Sequence, residues 1–130
     1  MSLNDPLANV LSHILIEDKK GKRQITVRPS SKVIKSVLNI LKQSGYLGET
    51  KEIDDGKGKM IEVNLLGRIN KAGAIKPRFK SKVTDYKKFE KRYLPAFGFG
   101  VLIVSTSKGM MTQEEAIKHN LGGKLIAYVY

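Results

Sequence analysis

Two apolar runs near the end of the chain, Val101-Leu102-Ile103-Val104 and Leu125-Ile126-Ala127-Tyr128-Val129-Tyr130, restrict what this sequence can fold into more than any other feature. Each is short, rich in β-branched or aromatic residues, and lacks the polar alternation of a half-exposed strand, which predicts two strands buried inside one sheet. Between them stand Ser105-Thr106-Ser107-Lys108-Gly109, then Thr112 and Glu115 at the T-x-x-E spacing of a capping box, then Gly122-Gly123. The predicted order is strand, polar turn, helix from Thr112 to about Asn120, a glycine pair that stops the helix, and strand. If the two strands are neighbours, the three hydroxyls and the two glycines come together. Glycines allow a bulky surface to approach the backbone, and hydroxyls both donate and accept, so the expectation is a docking surface for a ligand rich in acceptors.

The length of 130 residues allows one sizeable domain or two small ones, and a hydrophobic content of 41% is that of a globular chain. With no cysteine and only His13 and His119, disulfides, thiolate sites and a zinc cluster are excluded, and no metal or cofactor is expected. No leader-like segment and no run of membrane-spanning length is present, so the expected location is cytoplasmic, with no membrane partner. The net charge of +12 favours anionic partners and opposes self-association. Its placement is uneven: Lys and Arg stand against Asp and Glu as 11 to 8 in residues 1–67, 10 to 2 in 68–92, and 3 to 2 in 93–130. One-signed clustering of that density is the pattern of a phosphate-backbone footprint, with Lys71 and Arg78 as candidate contacts, while a merely soluble loop is the plain alternative.

Toward the N-terminus, Asp5-Pro6 opens a helix whose apolar face is Leu7, Val10, Leu11, Ile14 and Leu15. Gln24 to Arg28 alternates as a strand, and Ser30 or Ser31 can cap a second helix carrying Val33, Ile34, Val37, Leu38 and Leu41 and ending at Gly45. Residues 46–53 and 60–66 read as strands around Asp54-Asp55-Gly56-Lys57-Gly58, a hairpin loop without the further ligands of a calcium loop. The chain is therefore expected to divide at Gly67 into residues 1–66, an α-β-α-β-β layer, and residues 67–130, a mainly β domain with a short helix. The class is α/β of the α+β kind. Residues 83–91 read as a short helix or an irregular packed segment.

Catalytic readings fail on their partners. Ser105-Thr106-Ser107-Lys108 matches S-x-x-K, but the companion motifs of that chemistry are missing, and Gly122-Gly123-Lys124 lacks the spacing of a phosphate-binding loop. Neither histidine has a nucleophile or an orienting acid at recognisable spacing, and no carboxylate pair suggests itself, so no enzyme is expected. Tyr46, Tyr93, Phe97, Phe99, Tyr128 and Tyr130 are assigned to the core. Phe79 and Tyr86, inside the basic stretch, are candidates for stacking on bases.

The segment GFGVLIVSTSKGMMTQEEAIKHNLGGKLIAYVY, from Gly98 onward, resembles the C-terminal half of the small-subunit ribosomal protein numbered eight in the universal nomenclature. Asp5-Pro6-Leu7-Ala8-Asn9 with Ile14 resembles that family's opening helix, and the likeness extends over essentially the whole chain. The resemblance implies a two-domain, non-enzymatic protein that binds an irregular stem in the central domain of 16S rRNA as a primary binder. It also implies nucleation of platform assembly, neighbouring small-subunit proteins as partners, and a monomer off the ribosome. The contact residues it implies are Ser105, Thr106, Ser107 and Lys108, with Gly122, Gly123 and Lys124 beside them and Asn9 and Lys32 from the N-terminal domain. Bacterial members commonly carry an acid where this chain has Lys124, and Ile75-Lys76-Pro77-Arg78-Phe79 and Lys91-Arg92-Tyr93-Leu94-Pro95 look archaeal or eukaryotic, which implies an archaeal ribosome.

Two other readings stand beside this one. A phosphorylated small molecule could bind an enzyme at the capped helix behind Lys108, since helix N-termini attract anions. A double-stranded nucleic-acid module would bind without regard to internal loops.

Overall fold

The computed structural model describes residues 6–28, 32–54, 56, 58–96 and 98–130, and these fall into two compact units, Met1–Ile69 and Asn70–Tyr130. In unit 1, Leu7, Leu11 and Ile14 recur at helical spacing and form the buried face of α1 (Pro6–Lys19). α2 (Lys32–Gln43) buries Ile34, Val37, Leu38, Ile40 and Leu41. Both helices end alike. Gly45, at φ +83°, donates to the carbonyl of Lys42, and Tyr46 N–H reaches back to Leu41 at 2.9 Å, so the last carbonyls of α2 are satisfied. Gly21 and Lys22 do the same for α1. The expected caps at Asp5 and at Ser30 or Ser31 lie outside the described residues.

Three antiparallel strands, β1 (Gln24–Val27), β2 (Leu47–Asp54) and β3 (Lys59–Leu65), form a sheet in the order β1-β3-β2. Alternation puts Ile25, Val27, Ile61, Val63 and Leu65 into the core, where α1 packs on β1 and α2 on β2. In the β2–β3 loop the Gly56 N–H donates to Asp54 Oδ1 at 3.0 Å; Asp55 and Lys57 lie outside the described residues. Two acids at the end of α1, Glu17 and Asp18, are buried, which helical periodicity does not reveal. Asp18 accepts the N–H groups of Gly67 (2.9 Å) and Ile69 (3.3 Å), so the segment leaving β3 is fastened by a carboxylate instead of a strand partner.

Unit 2 is built around its last strand. In chain order it has β4 (Ala72–Ala74), β5 (Lys80–Ser81), a 3-10 turn (Val83–Asp85), α3 (Tyr86–Tyr93), β6 (Val101–Thr106), β7 (Gly109–Thr112), α4 (Gln113–Lys118) and β8 (Gly123–Val129). The sheet order is β4-β8-β6-β7, and β5 also pairs with β8. The two apolar runs are thus antiparallel neighbours, as their composition suggests. Leu102, Val104 and Leu125 join Ile75, Tyr86, Phe89, Leu94 and Ala116 in the core.

Several local expectations are corrected. Ser105 and Thr106 belong to β6, so the turn itself is only Ser107-Lys108, and Met110 and Met111 continue as β7 instead of leading straight into a helix. α4 ends at Lys118, short of the expected Asn120, and the glycine pair does not end it: Asn120, just beyond the cap at His119, adopts φ +55° and Leu121 N–H donates to Ala116 at 2.8 Å, the glycine-type helix ending performed by asparagine. Only half of the capping box forms, because Thr112 Oγ1 accepts from Glu115 N–H at 3.3 Å while the Glu115 carboxylate stands 3.7 Å from His119. Phe99, assigned to the core, is 66% exposed, and Phe97 lies outside the described residues. Tyr86 is fully buried with its hydroxyl donating to the carbonyl of Leu121 at 3.0 Å, and burial raises its pKa, so its ring is core and not a stacking platform.

Candidate nucleic-acid interface

The register between β6 and β8 decides what faces what. From Val101 to Ile103 the partners are Val129, Tyr128 and Ala127; then one residue of β8, Ile126, is skipped, and Val104, Ser105 and Thr106 meet Leu125, Lys124 and Gly123. This bulge explains why Leu125, Ile126 and Ala127 are buried in succession, since it breaks the two-residue alternation. It also moves Gly123 opposite Thr106 and Lys124 opposite Ser105, a pairing one step different from the unbulged one.

A groove results, walled on one side by Ser105, Thr106 and Ser107 and on the other by Lys80, Ser81 and Lys82, with Gly122, Gly123 and Lys124 between them. The glycines are required by contact. A Cβ on Gly123 would run into the carbonyl oxygen of Ser105, and one on Gly122 would lie 2.7 Å from the carbonyl oxygen of Ser81. The hydroxyls are not equivalent. Thr106 Oγ1 donates to Gly109 O at 2.7 Å and accepts from Lys108 N–H at 3.1 Å, so it holds the hairpin end together. The Ser107 side chain projects from the exposed turn beside Lys108.

The Lys80–Asp85 wall is what sequence reasoning missed. β5 is only two residues long and is defined by its pairing with β8, Lys80 to Lys124 and Ser81 to Gly123, so no periodicity announces it. Asp85 then accepts the Lys82 N–H at 3.0 Å and fixes the chain as it enters the 3-10 turn. Among the described residues, Lys80, Lys82 and Lys124 form no ion pair, and the one carboxylate that lines the groove, Asp85, is engaged by the Lys82 N–H.

Of the expected contact residues, Ser105, Thr106, Ser107, Gly122, Gly123 and Lys124 are brought together, with Lys108 at the turn. Lys71 is not with them: it precedes β4 and exchanges backbone bonds with Tyr130, at the other end of β8, roughly 20 Å along the strand from Lys124. Arg78 is exposed on the β4–β5 connection and does not line the groove. Asn9 and Lys32 are exposed on α1 and α2 of unit 1. The anion site imagined behind Lys108 does not form, because β7 separates Lys108 from α4, whose first residue, Gln113, is buried with Oε1 accepting the Leu102 N–H at 2.8 Å. No group of three or more His, Cys, Asp or Glu suited to a metal ion occurs among the described residues, and no described helix is long and apolar enough to cross a membrane.

The sequence matches the family model for ribosomal protein S8 over residues 5–130. That family is a structural, non-enzymatic component of the small ribosomal subunit whose partners are rRNA and other ribosomal proteins. The match takes in both units, the hydroxyl-bearing strand and the glycine pair alike, and this chain belongs to the ribosomal protein S8 family.

Proposed function

We propose that the groove of unit 2 binds an irregular stem in the central domain of 16S rRNA, and that the protein is a primary binder there, monomeric before it joins the subunit, around which the platform assembles. The observation that carries this reading is the juxtaposition of the Ser105–Ser107 hydroxyls, the Gly122-Gly123 backbone and the cations of Lys80, Lys82 and Lys124 in one groove. A-form RNA hides its major-groove edges, so specific recognition needs unstacked bases and 2′-hydroxyls, which short hydroxyl side chains on an open backbone can approach. The lysines supply affinity that carries no sequence information. Lys124 meets a phosphate in this scheme, and Lys71, Arg78, Lys32 and Asn9 make peripheral contacts.

The test is binding to a short rRNA stem with an internal loop and to its fully paired control, for wild type and Ser107→Ala. The expected result is a strong preference for the looped stem, reduced by about 1 kcal/mol, roughly fivefold in Kd, when the hydroxyl is removed. Equal affinity for both stems, unchanged by the substitution, would leave only charge-driven adhesion.

A further inference from the structure

Outside the groove, unit 2 carries a second cationic group that is built differently. On α3, Lys88 and Arg92 are one turn apart, as are Phe89 and Tyr93, so cations and rings run side by side along the helix. The Phe79 ring stacks on Phe89 with centroids 5.5 Å apart and planes at 25°. Arg92 Cζ lies over both the Phe79 ring, at 5.4 Å, and the Tyr93 ring, at 5.6 Å, and Lys88 Nζ stands 5.2 Å over Phe89. Phe89 is buried and Phe79 and Tyr93 are half-buried, so the rings are fixed by the core while Arg92 itself is exposed. Among the described residues Arg92 forms no ion pair, although Glu90 is on the same helix.

Two rings are more than a helix end requires. A cation in the last turn of α3 complements the carbonyl end of the helix, but Lys91 is there as well and needs no aromatic support. What the rings add is restraint on a guanidinium. Its Cζ lies within cation–π distance of both rings, and the N–H edge of a guanidinium is the part that grips a phosphate with two parallel hydrogen bonds. Because the side chain is already held, less freedom is lost when the anion arrives.

We propose that Arg92 is a discrete phosphate-binding position, taking one backbone phosphate of the bound RNA in a two-pronged contact, with Phe79 and Tyr93 as positioning residues. The proposal rests on the RNA-binding reading above but not on the groove's specificity, since a phosphate contact is blind to sequence and loop.

The experiment measures binding of the looped and paired stems across a salt series for wild type, Arg92→Lys, Phe79→Leu, the double variant and Ser107→Ala, at a temperature where thermal melts show each protein folded. Arg92→Lys is expected to weaken both RNAs equally, by roughly three- to tenfold, with the salt slope unchanged because the charge is kept. Phe79→Leu, which removes no charge, is expected to produce a similar loss, and the double variant no more than either alone. Tyr93→Leu replaces Phe79→Leu if the latter does not fold. Wild-type affinity in Arg92→Lys, or losses that add in full, would overturn the proposal, since an ordinary charge or a packing defect behaves that way. A failure of the groove reading is seen separately, as indifference to the internal loop and to Ser107→Ala.

Discussion

Four lysines of unit 1 pair with acids, whereas those bordering the groove of unit 2 form no ion pair among the described residues. Lys20 and Lys22 approach Glu17, the latter at 2.9 Å, Lys35 lies 3.2 Å from Glu52, and Lys42 lies 3.8 Å from Glu49. In unit 2 the one nearby acid, Asp85, is engaged by the backbone of Lys82, and Lys80, Lys82 and Lys124 have no carboxylate partner among the described residues. The totals agree: 12 basic residues face 8 acidic ones in residues 1–69, and 12 face 4 in residues 70–130. Exposed ion pairs contribute little to stability, so their lesson concerns partners. Unit 1 pairs four of its lysines internally, whereas those at the groove of unit 2 form no ion pair among the described residues despite their mutual repulsion.

The largest effect tests whether the two units differ in charge alone or also in packing. Leu41 in unit 1 and Leu125 in unit 2 are both fully buried, and Leu→Ala at either is expected to lower stability by about 2–5 kcal/mol in urea denaturation. A cost well below that range at Leu125 would remove β8 from the core and break the symmetry.

Next comes Gly123→Ala. Its methyl group meets first the backbone of Ser105 in β6, which cannot swing away as a side chain could, so a loss of about 1–3 kcal/mol is expected. Amide hydrogen exchange should show the loss of protection concentrated in β6 and β8, and an unaffected Ser105–Lys124 pairing would contradict the close approach.

Charge is compared directly by Lys82→Gln against Lys35→Gln. The first should weaken both the looped and the paired stem and lower the salt slope by about 1, and the second should leave the slope alone. Equal slopes in the two variants would erase the distinction between the units.

The smallest effect concerns pH. Lys22, ion-paired with Glu17 at 2.9 Å, holds that carboxyl below the ordinary range against the opposing effect of burial. A pKa depressed in the folded state contributes stability above the unfolded value and loses it as pH falls through the folded one. Wild type should therefore lose slightly more stability than Glu17→Gln between neutral pH and the acid side of the carboxylate range, as read from urea midpoints.

What could be read in the sequence is what periodicity encodes. Leu7, Leu11 and Ile14 announce α1, Ile25 and Val27 announce β1, and two unbroken apolar runs announce β6 and β8. β4 and β5 are too short to have a period and exist because β8 gives them a partner. Gly122-Gly123 read as a helix stop by composition, yet Asn120 takes that position and leaves the glycines to the groove. One wall of the site was legible in Ser105 to Ser107. The facing wall, Lys80 to Lys82, depends on long-range pairing, and the bulge at Ile126 that aligns the two has no local signature.

The position of β8 has a consequence for how the protein is made. β8 lies between β4 and β6 and also holds β5, yet it follows all three in the sequence. Unit 1 has every one of its strands once β3 has left the ribosome that synthesises it, and its sheet can close while translation continues. The second sheet has no middle until β8 emerges. A nascent or truncated chain lacking β8 would expose unpaired edges and have no Gly123 to set beside Ser105. The groove of unit 2 therefore cannot form until every other strand of its sheet has already been made.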